Sequence, residues 1–274
     1  MQQRSKKQVA LVTGASAGIG KAIVRRLLQE DWTVYGAARR LAKMKDIQEE
    51  GAHILSLDVT DEDSMNAAIE KILAEQGRID GLVNNAGFGA YGALEDVALD
   101  EARRQFEVNV FGLMRLTQLV LPAMREAGSG RIVNISSMGG RIWMPIGGWY
   151  HATKHALEVL SDALRMETAP FGVQVVVVQP GAIESEWSGI AAENLVSNSR
   201  DSVYRQQVEP MARILTGYDR AASPEVVAKA VFRALKARKP KRRYATPMDA
   251  KMLTFLRWLF PDAIWERIVK AVIR

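Results

Sequence analysis

Tyr150 and Lys154, with Ser137 upstream across twelve intervening residues, are the side chains of this sequence whose types and spacing point to proton chemistry. In a helix, residues four apart lie one above the other, so a phenol at 150 and an ammonium at 154 meet. A tyrosine titrating near about pH 10 is a poor base at neutrality, but a close cation favours the phenolate and brings its proton transfer into range. Such a pair is a tuned acid and base. The same spacing also suits an aromatic and a lysine on an ordinary amphipathic helix, so the elements around the pair must decide between the two.

The first of those elements is Thr13-Gly14-Ala15-Ser16-Ala17-Gly18-Ile19-Gly20. It lies between the apolar run Val9 to Thr13 and a stretch in which Ile19, Ile23 and Leu27 recur with helical period. That order predicts a strand, a glycine turn and a helix. Glycines there permit a tight turn and close approach of a pyrophosphate to backbone, and the helix N-terminus attracts the phosphates. A dinucleotide fold reads the adenosine ribose about twenty residues further on, at the end of its second strand. This chain has Ala38, Arg39 and Arg40 there instead of an acid. Two guanidinium groups favour a 2′-phosphate through charge-assisted, bidentate bonds, which predicts NADP(H) in preference to NAD(H).

Further apolar runs at Thr33 to Ala38, Ala52 to Leu57, Gly81 to Asn84, Arg131 to Ile135 and Val173 to Gln179 read as strands. Continuous runs of this kind suit strands buried on both faces. Helical stretches separate them, the longest from Asp100 to Glu126. The alternation predicts an α/β fold, a doubly wound, mostly parallel sheet of Rossmann type with helices on both faces. Between Ala182 and Ala222 the alternation lapses, which predicts an irregular substrate loop and lid. Residues 1–248 are read as one catalytic domain and 249–274 as an amphipathic helical extension.

The chain has 274 residues, 48% hydrophobic and 25% charged, enough for one large core. It contains no cysteine, which excludes disulfides and thiolate metal sites, and its three histidines show no metal-ligand spacing, so no metal is expected. The basic opening Met1 to Lys7 is followed by too short an apolar run for a signal peptide. The cytoplasm is the expected location.

These residues resemble the classical short-chain dehydrogenase/reductase family over roughly residues 8–235. The segment Thr13 to Gly20 resembles its cofactor motif, Asp58-Val59 its adenine-contact pair, and Asn84-Asn85-Ala86-Gly87 its central-strand motif. Asn109 falls at the family's catalytic asparagine, Ser137, Tyr150 and Lys154 at its serine and Tyr-x-x-x-Lys pair, and Pro180-Gly181 at the turn after strand six. Ile183 lies in the segment beyond that turn, and Ser185 stands where the family usually has a threonine holding the nicotinamide amide. Ala17 stands where NADP-preferring members often carry a basic residue, so the preference rests on Arg39 and Arg40. The resemblance implies hydride transfer between nicotinamide and a carbonyl or alcohol carbon. Tyr150 would act as acid or base, Ser137 would donate to the developing oxyanion, Lys154 would lower the tyrosine pKa and bind the nicotinamide ribose, and Asn109 would hold a relay water. It also implies a homodimer or homotetramer.

Phe88, Tyr91, Trp143, Met144, Trp149 and Trp187 are the aromatic and apolar residues that would surround a substrate, suiting a small apolar ketone, aldehyde or alcohol. A looser resemblance is to the hydroxysteroid- and retinol-dehydrogenase-like branch. From Lys236 to Arg274 eleven Lys and Arg stand against three acids, so the net charge of +6 resolves into +8 there and −2 elsewhere. The cluster from Lys236 to Arg243 reads as a solvated helix end before a final strand, and no nucleic-acid partner is expected. The stripes Met252, Leu253, Phe255, Leu256, Leu259 and Ile264, Ile268, Val272 predict two amphipathic helices. Three roles are open to them: covering the pocket, joining a subunit, or lying on a membrane surface with Arg257, Arg267, Lys270 and Arg274 toward headgroups. The alternative to an enzyme is an NADP(H)-sensing binding protein with little turnover, against which the full set of proton-handling residues argues.

Overall fold

The computed structural model describes residues 7–216 and 221–273. Its first half runs β1 (Val9–Thr13), α1 (Gly18–Gln29), β2 (Thr33–Ala38), α2 (Lys45–Glu49), β3 (His53–Ser56), α3 (Glu62–Gln76), β4 (Gly81–Asn84), α4 (Leu99–Phe106) and α5 (Leu113–Glu126). Then follow β5 (Gly130–Ile135), α6 (Gly148–Thr168), β6 (Val173–Pro180), α7 (Glu186–Asn198), α8 (Arg205–Thr216), α9 (Glu225–Lys236), β7 (Arg243–Thr246), α10 (Met248–Leu259) and α11 (Asp262–Val272).

The seven strands form one sheet in the order β3-β2-β1-β4-β5-β6-β7, and every neighbouring pair is parallel. A parallel sheet needs both faces covered, and β1 shows how its sequence meets that need. Successive side chains point to opposite faces. Val9 and Leu11 pack with Ile69, Ile72, Leu116 and Val120 of α3 and α5, whereas Ala10 and Val12 pack with Ile23, Leu27, Val227 and Val231 of α1 and α9. The chain winds outward one way from β1 to β3 and the other way from β4 to β7. The reversal opens a crevice at the strands' carboxyl ends, where open α/β sheets bind ligands.

Two stretches differ from their sequence reading. The segment 182–222, expected to be irregular, contains α7 and α8; residues 217–220 lie outside the described ones. The apolar residues Trp187, Ala191 and Leu195, then Val208, Met211 and Leu215, do recur at helical spacing. Gly189 and Pro210 inside these helices disguise the pattern, since both residues ordinarily interrupt one. The long helix expected from 100 to 126 is interrupted by a wider π-type turn, Glu107–Gly112. Such turns insert one extra residue and often mark functional positions.

The two C-terminal helices are joined to the sheet. Asp249 Oδ2 accepts from the Ala182 amide at 2.8 Å, and a Cβ on Gly181 would collide with that carboxylate. Trp265 is 2% exposed and packs with Val269 against Ile142, Trp143 and Met144, and its Nε1 donates to the Trp143 carbonyl at 3.2 Å. The outward face of α10 leaves Met252, Phe255, Trp258 and Leu259 exposed. No helix among the described residues is long and apolar enough to cross a membrane. Removing the Trp265 side chain should leave a cavity against the 142–144 segment. Trp265→Ala is expected to lower unfolding free energy by about 3–5 kcal/mol, and Trp265→Phe by clearly less, in urea denaturation.

Candidate active site

The crevice is a cleft of about 530 Å³ running from the glycine turn to the apolar side chains of α7 and α8. At one end Gly14 and Gly18 have φ of +68° and +49°, the left-handed region that favours glycine. A Cβ on Gly20 would drive into the Gly14 carbonyl, so the turn lies tight on α1. No side chain caps the amide end of α1, which leaves its first N–H groups for an anion. Ser16, Gly18, Ile19 and Gly20 line this end, as do Arg39, Arg40, Asp58 and Val59. Thr13 lies beneath it. Its Oγ1 accepts from the Asn85 and Ala86 amides, both at 3.0 Å, while Asn85 Nδ2 donates to the Thr13 carbonyl at 2.9 Å. Thr13 and Asn85 therefore staple the turn to the end of β4. Asn85, Ala86, Gly87, Pro180, Gly181, Ile183 and Ser185 line the middle of the cleft. The uncapped helix end, the glycine cradle and the two arginines fit a dinucleotide.

Burial opposes the charge of Asp58, but hydrogen bonds from Thr60 and the Arg39 guanidinium 3.9 Å away outweigh it and hold the carboxyl below its usual range. Arg40 Nη2 donates to Ser16 Oγ at 3.1 Å.

Ser137, Tyr150 and Lys154 meet at the end of β5 and the start of α6. Ser137 leaves β5 in extended conformation, lines the cleft, and accepts from the Gly139 amide at 3.0 Å. Tyr150 and Lys154 share one face of α6, with Lys154 Nζ 5.9 Å from the Tyr150 ring centroid. Lys154 Nζ donates to the Ile135 carbonyl at 3.0 Å, and burial pulls its pKa down to about 8 against the attraction of Glu158. Asn109 sits in the π-type turn, fully buried. Its Nδ2 donates to the Phe88 carbonyl at 2.8 Å and to Thr153 Oγ1 at 3.2 Å, and its Oδ1 accepts from the Phe88 amide at 3.0 Å. Both amide hydrogens are thus committed to holding the β4 exit against α6, leaving Oδ1 as the side-chain atom with acceptor capacity to spare.

At the far end Phe88, Tyr91, Met144 and Trp187 line the cleft. Trp187 reaches back from α7 until its ring centroid is 5.2 Å from that of Tyr150 and 6.0 Å from that of Tyr91. Trp143 and Trp149 are not brought to this pocket. Ile142 and Met144 face the cleft while Trp143 between them joins the C-terminal cluster. Trp149 is one residue from Tyr150, about 100° around the helix, and packs edge-on to Phe106 in a separate groove with Leu99 and Phe111.

Three cleft or near-cleft residues escape the sequence reading. His151 lines the cleft at 7% exposure, with Nδ1 3.0 Å from the Gly139 carbonyl, and burial pushes its pKa down to about 4. Glu158, one turn beyond Lys154, pairs with Arg243 at 2.7 Å and accepts from Gln179 at 3.0 Å. Glu186 pairs with Arg40 and Lys43. The i, i+4, i+8 spacing of Tyr150, Lys154 and Glu158 is the one signal that was available. Among the described residues no group of three or more His, Asp or Glu side chains is placed to hold a metal ion.

Comparison with known proteins places these features in a family. Residues 8–194 match the model of the short chain dehydrogenase family. The NADPH-dependent 3-dehydrocapnine reductase of Ornithobacterium rhinotracheale is 35% identical over 94% of this chain and 95% of its own length. The 3-ketodihydrosphingosine reductase of Bacteroides thetaiotaomicron is 43% identical over 64% and 63%. Among solved structures, a short-chain dehydrogenase from Streptomyces avermitilis superposes with a TM-score of 0.84 at 36% identity, over 97% of this chain and 98% of that one. The actinorhodin polyketide ketoreductase with NADPH (TM-score 0.74, 32% identity, covering 88% and 95%) and a Brucella melitensis 3-ketoacyl-(acyl-carrier-protein) reductase with NADH (0.74, 27%, 87% and 96%) are also similar.

His151 gives the site a measurable acid sensitivity. In the unfolded chain it takes a proton near pH 6.5, and in the folded one only near pH 4. Stability contributed by its neutral form is therefore intact above 6.5 and lost as pH falls toward 4. Thermal melts should show this acid limb, and His151→Gln should flatten it.

Proposed function

Because the chain belongs to the short-chain dehydrogenase/reductase family of oxidoreductases, we propose that it transfers hydride between NADP(H) and an apolar ketone or aldehyde, or the matching alcohol, with Tyr150 as acid and base. The observation that carries this reading is a single cleft lined both by a phosphate-binding glycine turn beside Arg39 and Arg40 and by Ser137, Tyr150 and Lys154. When bound there, the nicotinamide supplies or accepts the hydride. The chain's own residues do the rest. Tyr150 delivers a proton to the carbonyl oxygen, or removes it in the reverse direction. Ser137 donates a hydrogen bond to the same oxygen as charge develops on it. Lys154, charged below about pH 8, stabilises the phenolate that Tyr150 becomes. Asn109 holds the backbone of Phe88 and so fixes the floor between coenzyme and substrate.

Arg39 and Arg40 support NADP(H) over NAD(H), although relatives of similar fold bind either form. The lining of Phe88, Tyr91, Met144 and Trp187 supports an apolar substrate, and the two bacterial relatives, both reductases by name, favour the reducing direction. A homodimer or homotetramer built on the groove of Leu99, Phe106, Phe111 and Trp149 accounts for the apolar side chains exposed there.

A panel of apolar ketones, aldehydes and alcohols, followed by nicotinamide absorbance with both coenzymes, tests the reading. Turnover with NADPH should exceed that with NADH, and Tyr150→Phe should lose at least about 100-fold in kcat, the scale of a general acid. Tight NADPH binding without turnover across the panel would instead identify a sensor. Lys154 adds a pH signature: reduction should decline as pH rises through about 8, where the ammonium loses its charge, and activity undiminished well above that point would contradict the pairing.

A further inference from the structure

The cations at the coenzyme end of the cleft are already paired within the chain. Arg39 lies 3.9 Å from Asp58. Arg40 Nη2 donates to Glu186 Oε2 at 3.2 Å, and Lys43 Nζ donates to Glu186 Oε1 at 3.1 Å. The Arg40 nitrogen that holds Glu186 also donates to Ser16 in the glycine turn. One carboxylate therefore bridges two cations and abuts the phosphate loop, the arrangement of charges a phosphate would make. The acid comes from 146 residues away, at the first position of α7.

We infer that Glu186 is an internal stand-in for the 2′-phosphate of the coenzyme, holding α7 down across the cleft until a phosphate-bearing dinucleotide takes Arg40 and Lys43 from it. The inference rests on the NADP(H) reading above and adds a specificity-determining residue to it. Three physical points support it. The Arg40, Lys43 and Glu186 side chains are 49%, 48% and 48% exposed, and ion pairs so open to water hold weakly, so the bridge is readily broken. A phosphate dianion brings more charge and a third acceptor oxygen to the same planar guanidinium, so it is the stronger partner. Once the phosphate is seated, the displaced carboxylate faces a like charge and is pushed away.

The next residue gives the displacement a consequence. Trp187 follows Glu186 in the first turn of α7 and rests against Tyr150 and Tyr91. Consecutive residues of one helical turn thus grip opposite ends of the same cleft. Release of Glu186 loosens the anchor of the turn that carries Trp187, so a coenzyme with a 2′-phosphate opens the substrate end and one without it does not. Such coupling is reciprocal: a substrate that moves Trp187 also weakens the competitor for the phosphate.

The test uses the full chain and Glu186→Gln, with binding measured by calorimetry for adenosine 2′,5′-bisphosphate, adenosine 5′-monophosphate, NADP+ and NAD+. Removing a competitor should tighten both 2′-phosphate ligands roughly two- to fivefold, the scale of an exposed ion pair, and leave the other two unchanged. In parallel, the bisphosphate should alter tryptophan fluorescence in the parent protein. That change should vanish in Trp187→Phe and shrink in Glu186→Gln, where the anchor is already free. If Glu186→Gln binds the 2′-phosphate ligands equally or more weakly, Glu186 is a positioning residue or a bystander and the inference is overturned. If NADP+ binds no better than NAD+ in either protein, the coenzyme reading fails first, and the two failures are told apart.

Discussion

A charged ammonium held almost out of water is the constraint around which this molecule is arranged. Lys154 is 7% exposed, and burying an unpaired charge is costly enough to unmake a site unless partners are fixed around it. Its Nζ bonds the carbonyl that ends β5, lies beside the Tyr150 ring, and has Glu158 one turn further along α6. Glu158 is fixed in turn by Arg243 of β7 and Gln179 of β6. Three strands and one long helix must therefore meet in one register before the lysine can be charged where it stands. The seventh strand, which lends no side chain to the cleft lining, takes part in the site through Arg243.

A second polar device fixes the same register from below. Asn84 Nδ2 donates to Thr117 Oγ1 at 3.0 Å and to Asn134 Oδ1 at 2.9 Å, and Asn134 Nδ2 donates to Ser161 Oγ at 2.9 Å. This chain of buried amides and hydroxyls crosses from α5 through β4 and β5 to α6. A one-residue slip of either strand would strand those groups without partners, at a cost apolar side chains would not impose. The apolar runs select a buried sheet, and the amides select one alignment of it.

What could be read in the sequence divides along physical lines. Strands such as Val9–Thr13, Thr33–Ala38 and Gly81–Asn84 were legible because both-face burial demands unbroken apolar runs. The glycine turn and the pair at 150 and 154 were legible because each is local. The helices of 186–198 and 205–216 were not, since Gly189 and Pro210 interrupt short patterns whose stability comes from packing. Trp143 and Trp149 were misassigned because aromatic type carries no direction, and neighbours at 142, 144 and 150 took the cleft. Glu186 was invisible, as its partner Arg40 lies 146 residues away and no spacing rule reaches that far, and Glu158 showed only its place one turn beyond Lys154, since its partner Arg243 lies 85 residues away.

The bond from Trp265 to the Trp143 carbonyl joins residues 122 apart, whereas the glycine turn is stapled by β1 and β4 directly. Local opening begins where few contacts hold a segment, and α10 and α11 keep much of their surface outside the core. A molecule that frays from α11 loses the backing of the 142–144 wall, while Asp249 at the start of α10 still holds the Gly181–Ala182 edge of the cleft. The support behind the apolar end of the cleft therefore rests on a distant, late stretch of chain, and that behind the glycine turn on the central strands.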